Sequence, residues 1–311
     1  MNNEKKLFSI VVPIYGNEKN ITITIPYFVE HLDLFPAYDV EIILVCDGSP
    51  DNSYEEMKKM YYRYPEHVRI VNLTRNFGQG AAIHCGMDMA KGQVIGVISC
   101  DMQDPFELFV DMLSAWEDGY KLVVAARKGR GEKGISAIGS KVLHKLTHKI
   151  IDNRYPVGGF DFFLLDREVS EKFREIDLAN GAIQMALMWL GYEYKRIDYV
   201  RQERQQGKSG YKLWRKLTVA MGLFTTYSPF LSQLWGFIGG FFAASGFLAM
   251  ILLIIINIYV HNMAMWILLS ALFACTGLIL CACFTLGEYI WRTFDNTKNR
   301  PRYVVEEKLG C

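Results

Sequence analysis

An uncharged, apolar region near the carboxyl end limits how this chain can fold. No Asp, Glu, Lys or Arg occurs between Lys216 and Glu288. A helix that spans a bilayer needs roughly 20 apolar residues, so the region has room for two spans, and we predict their cores at Leu234 to Val260 and Met263 to Gly287. A pair of helices in water would keep a polar face, which this region lacks. We therefore predict a transmembrane hairpin.

Basic residues flank the predicted hairpin on both sides. They are Lys208, Lys212, Arg215 and Lys216 before it, and Arg292, Lys298, Arg300 and Arg302 after it. Lys and Arg accumulate on the cytoplasmic side of a membrane, so we expect a multi-pass protein of the inner (plasma) membrane with its catalytic domain and both termini in the cytoplasm. Glycines within the first span, which permit close helix packing and hence a homo-oligomer, are Gly236, Gly239, Gly240 and Gly246.

Charge and cysteine content exclude two classes of function. The formal net charge of the 311 residues is +1, so there is no basic excess to indicate nucleic-acid binding. The seven cysteines form no C-x-x-C pair, which favours reduced thiols over zinc ligands or a disulfide framework. The first residues, M-N-N-E-K-K, contain no apolar leader, so we expect no cleaved signal peptide.

Strand and helix patterns alternate through the first part of the chain. The predicted strands are Leu7 to Val12, Val40 to Val45, Val68 to Leu73, Val94 to Ile98, Leu122 to Ala126 and Tyr194 to Arg201. Helices are predicted between them, at Glu18 to Leu34, Ser53 to Tyr64, Gly80 to Ala90, Glu107 to Glu117, Ile138 to Ile151 and Ile183 to Leu190. Regular alternation of this kind predicts an α/β domain with a mostly parallel sheet covered on both faces.

Polar residues follow three of these strands. They form the clusters Pro13 to Glu18, Asp47 to Asp51 and Asp101 to Asp104. Successive parallel strands bring their carboxyl ends to one edge of a sheet, where ligands bind. We therefore expect a nucleotide crevice at this edge. Asp47 has two interpretations that the sequence leaves open, an acceptor for a base N–H and an ordinary D-G-S turn.

The third cluster has the chemistry of a metal and diphosphate site. A buried strand, Val94 to Ile98, leads to Asp101, Gln103 and Asp104. Hard oxygen ligands suit Mg²⁺ or Mn²⁺ carrying a phosphorylated substrate. Asp104 precedes Pro105 and has a second interpretation as a helix N-cap. Asp101 lies too early for that role and is a site residue in our interpretation.

Two glycine patterns fail as nucleotide motifs. Arg75 to Gly80 lacks the last glycine of G-x-G-x-x-G, since Ile83 stands there, and it does not follow the first strand. Gly207-Lys208-Ser209 resembles the end of a P-loop, but Gln202 occupies the earlier glycine position. Arg75 is retained as a phosphate or sugar contact.

Asp161 and a basic segment complete the candidate residues. Asp161 stands among apolar residues, and such a carboxylate is costly to bury unless it is paired or functional. The segment from Arg204 to Lys216 carries basic and aromatic residues and then turns apolar. It fits an interfacial helix on an anionic membrane or a site for a lipid phosphate, and charge alone does not separate the two.

Together these residues resemble the membrane-bound family-2 glycosyltransferases that charge polyprenyl phosphates, the group of dolichyl-phosphate mannose synthases and bactoprenol-phosphate glucosyltransferases. The resemblance covers nearly the whole chain. The motifs that carry it are V-V-P-I-Y-G-N-E, V-C-D-G-S-P-D, L-T-R-N-F-G, S-C-D-M-Q-D-P, F-D-F-F-L-L-D-R, R-x-x-G-K-S-x-Y, the two spans, G-E-Y-I-W-R and N-R-P-R-Y.

The resemblance implies a GT-A catalytic domain at 1–210, a juxtamembrane interfacial helix at 211–230, two transmembrane helices at 231–290 and a cytoplasmic tail at 291–311. It also implies an inverting transfer of one sugar from a nucleotide diphosphate sugar, expected to be a UDP-sugar, to polyprenyl (undecaprenyl) phosphate. The site residues matched to the family's motifs fall into three groups. They are Pro13, Tyr15, Asp47 and Arg75 for the nucleotide sugar, Asp101 with Gln103 for metal and diphosphate and Asp161 beside the acceptor, and Arg204, Lys208, Ser209 and Tyr211 for the lipid phosphate. Asp101 and Asp161 are the predicted catalytic residues.

Three positions depart from the family pattern. Ser99 replaces the first acid of D-x-D, Cys46 replaces the first acid of a D-D pair, and Asn17 follows Gly16 where the family has Y-N-E. Two other functions remain open from the residues. One is a glycosyltransferase with a different lipid or polysaccharide acceptor, and the other is a catalytically inactive membrane scaffold, which the changes at Ser99 and Cys46 would suit.

Overall fold

The structure is a computed structural model that describes residues 5–127, 156, 160–175, 183–200, 241, 264–297 and 301–311, with part of the side chains in 264–297. The chain divides into two compact units. The first comprises Met1–Leu213 and Pro301–Cys311, and the second comprises Trp214–Arg300. The final residues of the chain therefore belong to the same unit as the predicted catalytic domain.

Eight described strands of the first unit form one sheet. In chain order they are β1 (Lys6–Ile14), β2 (Tyr38–Cys46), β3 (Val68–Leu73), β4 (Val94–Val97), β5 (Leu122–Arg127), β6 (Phe162–Asp166), β7 (Tyr194–Tyr199) and β8 (Val305–Leu309). Their order across the sheet is β7-β5-β6-β4-β1-β2-β3-β8. Strand β1 pairs in parallel with both β2 and β4, which places the carboxyl ends of these three strands at one edge.

The α-helices that the structure describes in the first unit lie between strands along the chain. They are α1 (Glu18–Glu30), α2 (Ser53–Arg63), α3 (Gln79–Met89), α4 (Leu108–Glu117), α5 (Arg167–Arg174) and α6 (Ile183–Trp189). The predicted helix at Ile138 to Ile151 lies outside the described residues.

Apolar side chains are buried on both faces of the sheet. Neighbouring residues of β1 show the alternation, since Ile10 and Val12 join one buried cluster and Val11 joins the other. The strands are apolar on both faces because helices cover each of them. Helix α4 packs closely on β4 at Gly96, where a Cβ atom would lie 2.3 Å from a ring carbon of Phe109. This contact needs a residue without a side chain.

One strand within the sheet runs against the predicted parallel direction. Strand β6 lies between β4 and β5 and is antiparallel to both. We predicted no strand for this F-F-L-L-D run, because an apolar run does not specify its partner or direction. The insertion of β6 makes the sheet mixed, and it places Asp161 at the start of a strand beside the ends of β4 and β5.

A second antiparallel strand, β8, comes from the segment that we predicted as a cytoplasmic tail. It pairs with β3 at the edge of the sheet. Side chains reinforce this pairing, since Asn72 Nδ2 donates to Glu306 Oε2 at 2.8 Å and the Tyr303 hydroxyl donates to Asp88 Oδ2 at 2.6 Å. The short V-E-E-K-L run has too few apolar residues to be identified as a strand without its partner.

In the second unit, the structure describes the helix α7 (Ala264–Thr297). The second predicted span, Met263 to Gly287, falls mainly on this helix, whereas the first predicted span lies outside the described residues apart from Phe241. Among the residues that the structure describes, no helix is found with the length and hydropathy needed to cross a membrane. The hairpin stays a prediction.

Candidate active site

The loops that follow β1 and β2 are fastened to each other. The Gly16 N–H donates to Ser49 Oγ at 2.6 Å, and the Glu18 N–H donates to Asp51 Oδ2 at 3.3 Å. Asp51 Oδ1 also accepts from the hydroxyls of Ser49 and Ser53 at 2.9 and 2.5 Å. Burial acts to raise the pKa of Asp51, but these hydrogen bonds outweigh it and lower the pKa. The carboxylate therefore stays ionised and holds the two loops together.

This bracing presents Tyr15 to solvent. Tyr15 is 51% exposed although it directly follows a buried strand. Gly16 adopts a left-handed φ of +65°, which turns the chain at that point. Pro13 lies in β1 opposite Val45 of β2, so Pro13 and Tyr15, two of the three residues predicted to hold the base and ribose, lie near the carboxyl ends of β1 and β2. An exposed ring beside this edge is suited to stack on a base or sugar.

Asp47 anchors the loop after β3. Its Oδ1 accepts the Phe77 N–H at 2.7 Å and its Oδ2 accepts the Gly78 N–H at 2.9 Å. The side chain is buried, and burial raises its pKa despite the opposing effects of these two N–H donors and of Arg75. From the sequence, Asp47 is either a base acceptor or a turn residue. The structure adds a third role, because both oxygens accept from the backbone of a neighbouring loop.

Arg75 lies in the loop that Asp47 anchors. Its guanidinium stacks over the Phe77 ring at 4.0 Å from the centroid, and its side chain is exposed. The close approach of this loop to β2 depends on Gly48, since a Cβ atom there would lie 2.2 Å from the Arg75 carbonyl carbon. Arg75 therefore carries its charge at the same edge as Tyr15 and Asp47, where a phosphate or sugar contact is feasible.

The acidic cluster after β4 is a hydrogen-bonded group of three side chains. Ser99 Oγ lies 2.7 Å from Asp101 Oδ1 and 2.9 Å from Asp104 Oδ2. Met102 has a positive φ of 53°, unusual for a non-glycine residue, and it turns the chain between the two acids. The residues Asp101, Gln103 and Asp104 are all at most 8% exposed.

The position of Asp104 corrects one interpretation. Helix α4 begins at Leu108, with Glu107 in the N-cap position, so the interpretation of Asp104 as the N-cap is wrong. The Asp104 carboxylate contacts the side chain of Ser99 in its own loop and that of Tyr199 at the end of β7. Proline at position 105 did not start the helix because a turn intervenes between Asp104 and Leu108.

The oxygen donors of this cluster fit a hard divalent cation. Asp101 and Asp104 supply carboxylates, and Gln103 supplies an amide next to them. Within the described residues, no group of three or more His, Cys, Asp or Glu side chains could hold a metal by itself. Ser99 explains this in part, since it contributes a neutral hydroxyl where a third acid would stand. Any cation here therefore needs further oxygen ligands from a bound diphosphate and water.

Asp161 is paired. The Arg127 guanidinium forms an ion pair with Asp161 Oδ2, and Gln184 Nε2 donates to Oδ1 at 2.9 Å. Asp161 is also partly exposed, with 41% of its side chain accessible. A carboxylate among apolar residues is costly to bury unless it is paired or functional, and Asp161 is paired. Burial acts to lower the pKa of Arg127, but Asp161 raises it overall, so the guanidinium stays charged.

Tyr199 joins the two acidic regions. Its hydroxyl donates to Asp104 Oδ1, and it lies close enough to the Arg127 guanidinium for each group to shift the pKa of the other. Burial and the charge of Asp104 raise the pKa of the phenol, so the hydroxyl keeps its proton. Arg127 and Tyr199 are register partners on the parallel strands β5 and β7. Sequence reasoning missed Tyr199, Gln184 and the role of Arg127, because strand register sets Tyr199 beside Arg127 and tertiary packing brings Gln184 of α6 to Asp161.

The predicted lipid-phosphate residues lie outside the described part of the chain. They are Arg204, Lys208, Ser209 and Tyr211. The predicted interfacial helix at 211–230 lies there too. Their roles stay predictions.

Comparison with known proteins identifies the family. The model of "Glycosyl transferase family 2" matches residues 9–174, which include every strand end described above from β1 to β6. The chain belongs to this family. The glycosyltransferase is 33% identical over 308 residues to the "Uncharacterized glycosyltransferase YkcC" of Bacillus subtilis (strain 168), covering 97% of this chain and 94% of that protein.

A second relative confirms the predicted resemblance. The "SfII prophage-derived bactoprenol glucosyl transferase" of Shigella flexneri is 32% identical over 303 residues, covering 96% of this chain and 97% of the relative. Among solved structures, a mannosyltransferase from Pyrobaculum calidifontis aligns with a TM-score of 0.51 over 91% of this chain and 87% of its own, at 14% identity. This glycosyltransferase therefore has the predicted GT-A fold, a mostly parallel sheet with one antiparallel strand, β6, inserted in it and another, β8, at its edge.

Proposed function

We propose that this glycosyltransferase transfers one sugar, with inversion, from a nucleotide diphosphate sugar to a polyprenyl phosphate at the cytoplasmic face of the plasma membrane. The observation that carries the proposal is the full-length similarity to a bactoprenol glucosyl transferase. The similarity extends over the site and the apolar region alike, so one acceptor class accounts for both. We expect a UDP-sugar as the donor and undecaprenyl phosphate as the acceptor.

The described site supports the donor half of this reaction. Tyr15, Asp47 and Arg75 lie around the ends of β1 to β3, and the acidic cluster follows β4 next to β1. In this proposal the base and ribose bind near Tyr15 and Asp47, and the diphosphate lies toward Asp101. Asp101 would hold Mg²⁺ or Mn²⁺ with Gln103 nearby, and the ion would neutralise charge on the departing diphosphate. A mannosyltransferase of this fold was crystallised with GDP-Man and Mn²⁺.

The acceptor half of the reaction makes a modest demand on the protein. A phosphate monoester is already largely dianionic near neutrality, with its second pKa near 6. One of its oxygens forms the new bond to the anomeric carbon while the bond from that carbon to the diphosphate oxygen breaks. Asp161 therefore need only orient the acceptor or take a residual proton. Its pairing with Arg127 suits an orienting role.

Exposed apolar side chains on α7 support membrane attachment. Met265, Leu268, Leu272, Ile279, Leu286 and Ile290 are each at least 60% exposed. They recur at spacings of three, four and seven residues, which places them along one stripe of the helix. Lipid would cover such a stripe, and the basic residues on either side of the apolar region favour cytoplasmic ends. A polyprenyl phosphate stays in the bilayer, so an enzyme held there reaches it.

Transfer of labelled sugar into an organic-extractable lipid tests the proposal. The assay uses the full-length protein in detergent or liposomes with undecaprenyl phosphate, a panel of UDP- and GDP-sugars, and Mg²⁺, Mn²⁺ or chelator. We expect one donor to label the lipid, with loss of label in chelator and in Asp101→Asn. The matched control is Asp118→Asn, an exposed acid beyond α4, which should behave as wild type.

The other outcomes separate the alternatives. Label in a different lipid or in a polymer would show that this molecule, and not polyprenyl phosphate, is the acceptor. Nucleotide binding without transfer from any donor would favour the inactive scaffold.

A further inference from the structure

Tyr199 occupies a position from which it can align both halves of the site. It ends β7, and its side chain is only 6% exposed. Its ring packs edge-on against Phe162, the first residue of β6, with centroids 6.2 Å apart. The ring is therefore fixed by the core, and its hydroxyl is held at one point. At that point it donates to a carboxylate that follows β4, and the residue beside it on the next strand carries a guanidinium at the end of β5.

The hydroxyl belongs to a continuous line of neighbouring polar side chains. On one side Tyr199 donates to Asp104, which shares Ser99 with Asp101. On the other side it neighbours Arg127, its register partner on β5, which pairs with Asp161. Every contact in this line is between side chains of the first unit. The line connects the predicted metal-binding acid to the predicted acceptor-side acid.

Two carboxylates lie near the Arg127 guanidinium and can attract it. Asp161 holds it directly, and Asp104 lies close enough to influence its charge. Opposite charges in a partly buried site attract strongly. The Tyr199 hydroxyl donates to Asp104 and gives that carboxylate a partner, which leaves the guanidinium paired with Asp161. Without that hydroxyl, Arg127 would gain by moving toward Asp104.

We infer that Tyr199 is a positioning residue that keeps Arg127 against Asp161 and thereby orients the acceptor side of the site. The kinetic part of this inference rests on the proposed function. The structural part, the placement of Arg127, holds whatever the acceptor is. No sequence motif of the chain points to Tyr199, since its partners lie far from it in the sequence.

The first test compares Tyr199→Phe with Tyr192→Phe. Tyr192 also donates its hydroxyl to a carboxylate, that of Glu168 at 3.0 Å, on the surface away from the site. We expect Tyr199→Phe to lower kcat/KM for undecaprenyl phosphate about tenfold, the size of one lost hydrogen bond to a charged partner, with the nucleotide Kd unchanged. Tyr192→Phe should match wild type. An equal loss in nucleotide affinity, or no loss in either variant, would overturn the inference.

A double variant distinguishes positioning from a general structural role. In the Asp161→Asn background, Arg127 no longer has its charged partner, so adding Tyr199→Phe should change residual transfer less than about twofold. A full tenfold loss in that background would show that Tyr199 acts independently of Asp161 and would refute the inference. Arg127→Lys keeps the charge without the planar fork, and it should reproduce the Tyr199→Phe defect even if Tyr199→Phe folds poorly.

A crystal structure of the Tyr199→Phe protein provides a readout that needs no activity. We expect Arg127 to contact Asp104 and to have left Asp161. Retention of the Arg127–Asp161 pair would overturn the inference even if the enzyme is active. Conversely, a wild-type protein that transfers no sugar would contradict the proposed function, and the placement of Arg127 in the variant would still decide this inference.

Discussion

Asp47 and Gly78 are joined by a hydrogen bond of 2.9 Å that ties the end of β2 to the start of α3. The second carboxylate oxygen makes the equivalent bond to the Phe77 N–H at 2.7 Å. Thus one buried side chain fixes the loop that carries Arg75. The nucleotide edge of this glycosyltransferase is held by side chain to backbone bonds between loops that are distant in sequence.

Asp47→Asn should weaken nucleotide binding about tenfold and lower stability by roughly 2 kcal/mol, because the amide turns one acceptor into a donor facing a backbone N–H. Isothermal titration with the nucleotide diphosphate and thermal melting would measure the two effects. The control is Asp39→Asn, an exposed acid near the start of β2, the strand that Asp47 follows. Wild-type affinity in Asp47→Asn would show that the loop does not need this anchor.

Gly48→Ala should be the more damaging of two glycine substitutions. Gly48 has a φ of +55°, and its added Cβ would meet the backbone of Arg75 and Asn76 at 2.2 and 2.5 Å. Gly119 also has a positive φ, +103°, but has nothing within 4 Å. We expect Gly119→Ala to cost about 1–3 kcal/mol from backbone strain alone, and Gly48→Ala to cost more and to reduce nucleotide binding. Equal melting temperatures would contradict this.

Ser99→Asp should make the melting temperature of the protein depend on a divalent cation. The new carboxylate would lie near the two acids that Ser99 now bridges, so repulsion should lower the melting temperature by about 5 °C in chelator. Mn²⁺ should restore it. Ser99→Asn, similar in size but neutral, should show no such recovery. If Mn²⁺ does not change the melting temperature of the Ser99→Asp protein, the result would argue against a cation site at this cluster.

His84 should make stability fall as the pH drops below 7. The side chain is 1% exposed, and burial together with Arg302 and Arg174 lowers its pKa from 6.5 to about 3. The unfolded chain thus binds a proton near pH 6.5 that the folded chain does not bind until about pH 3. The neutral His84 therefore contributes its full share of the free energy of unfolding above pH 6.5, and this share is lost as the pH falls from 6.5 toward 3. We expect the free energy of unfolding to fall by about 2 kcal/mol between pH 7 and 5 for this reason.

Thermal melting of wild type and His84→Gln across pH 5 to 7 would measure this effect. The pH dependence should be smaller in His84→Gln. His67→Gln, which removes a half-buried histidine of the same unit, should keep the wild-type dependence. Parallel curves for wild type and His84→Gln would show that His84 is not the group responsible.

Deletion of residues 305–311 should destabilise the first unit. These residues include β8, and their loss uncovers the edge of β3 and removes the partner of Asn72. We expect a fall in melting temperature of about 5–10 °C and greater aggregation, since an exposed edge strand pairs with other chains. Lys308→Ala is the control, because it keeps the strand. An unchanged melting temperature would show that β8 adds nothing to the sheet.

Much of this site was predictable from local patterns. Three of the candidate residues, Asp101, Asp47 and Tyr15, each come shortly after an apolar strand. The alternation of strands and helices is enough to predict that these strand ends share one edge. The parallel pairing of β1 with β2 and β4 confirms this prediction. Motif similarity added the family, which the comparisons confirm. By contrast, the strand β6 and the role of Asp104 were missed or misassigned, because an apolar run and a D-P pair each permit more than one structure.

The amino-acid sequence by itself determined the α/β class, the apolar region and the acids at the strand ends, because each depends on residues close together in the chain. Tertiary structure decided the rest. It inserted β6 between β4 and β5, returned 305–309 to the sheet, and set Arg127 opposite Tyr199 across a strand pair. These placements depend on hydrogen bonding and packing between distant segments, and no local pattern encodes which strand will be the neighbour.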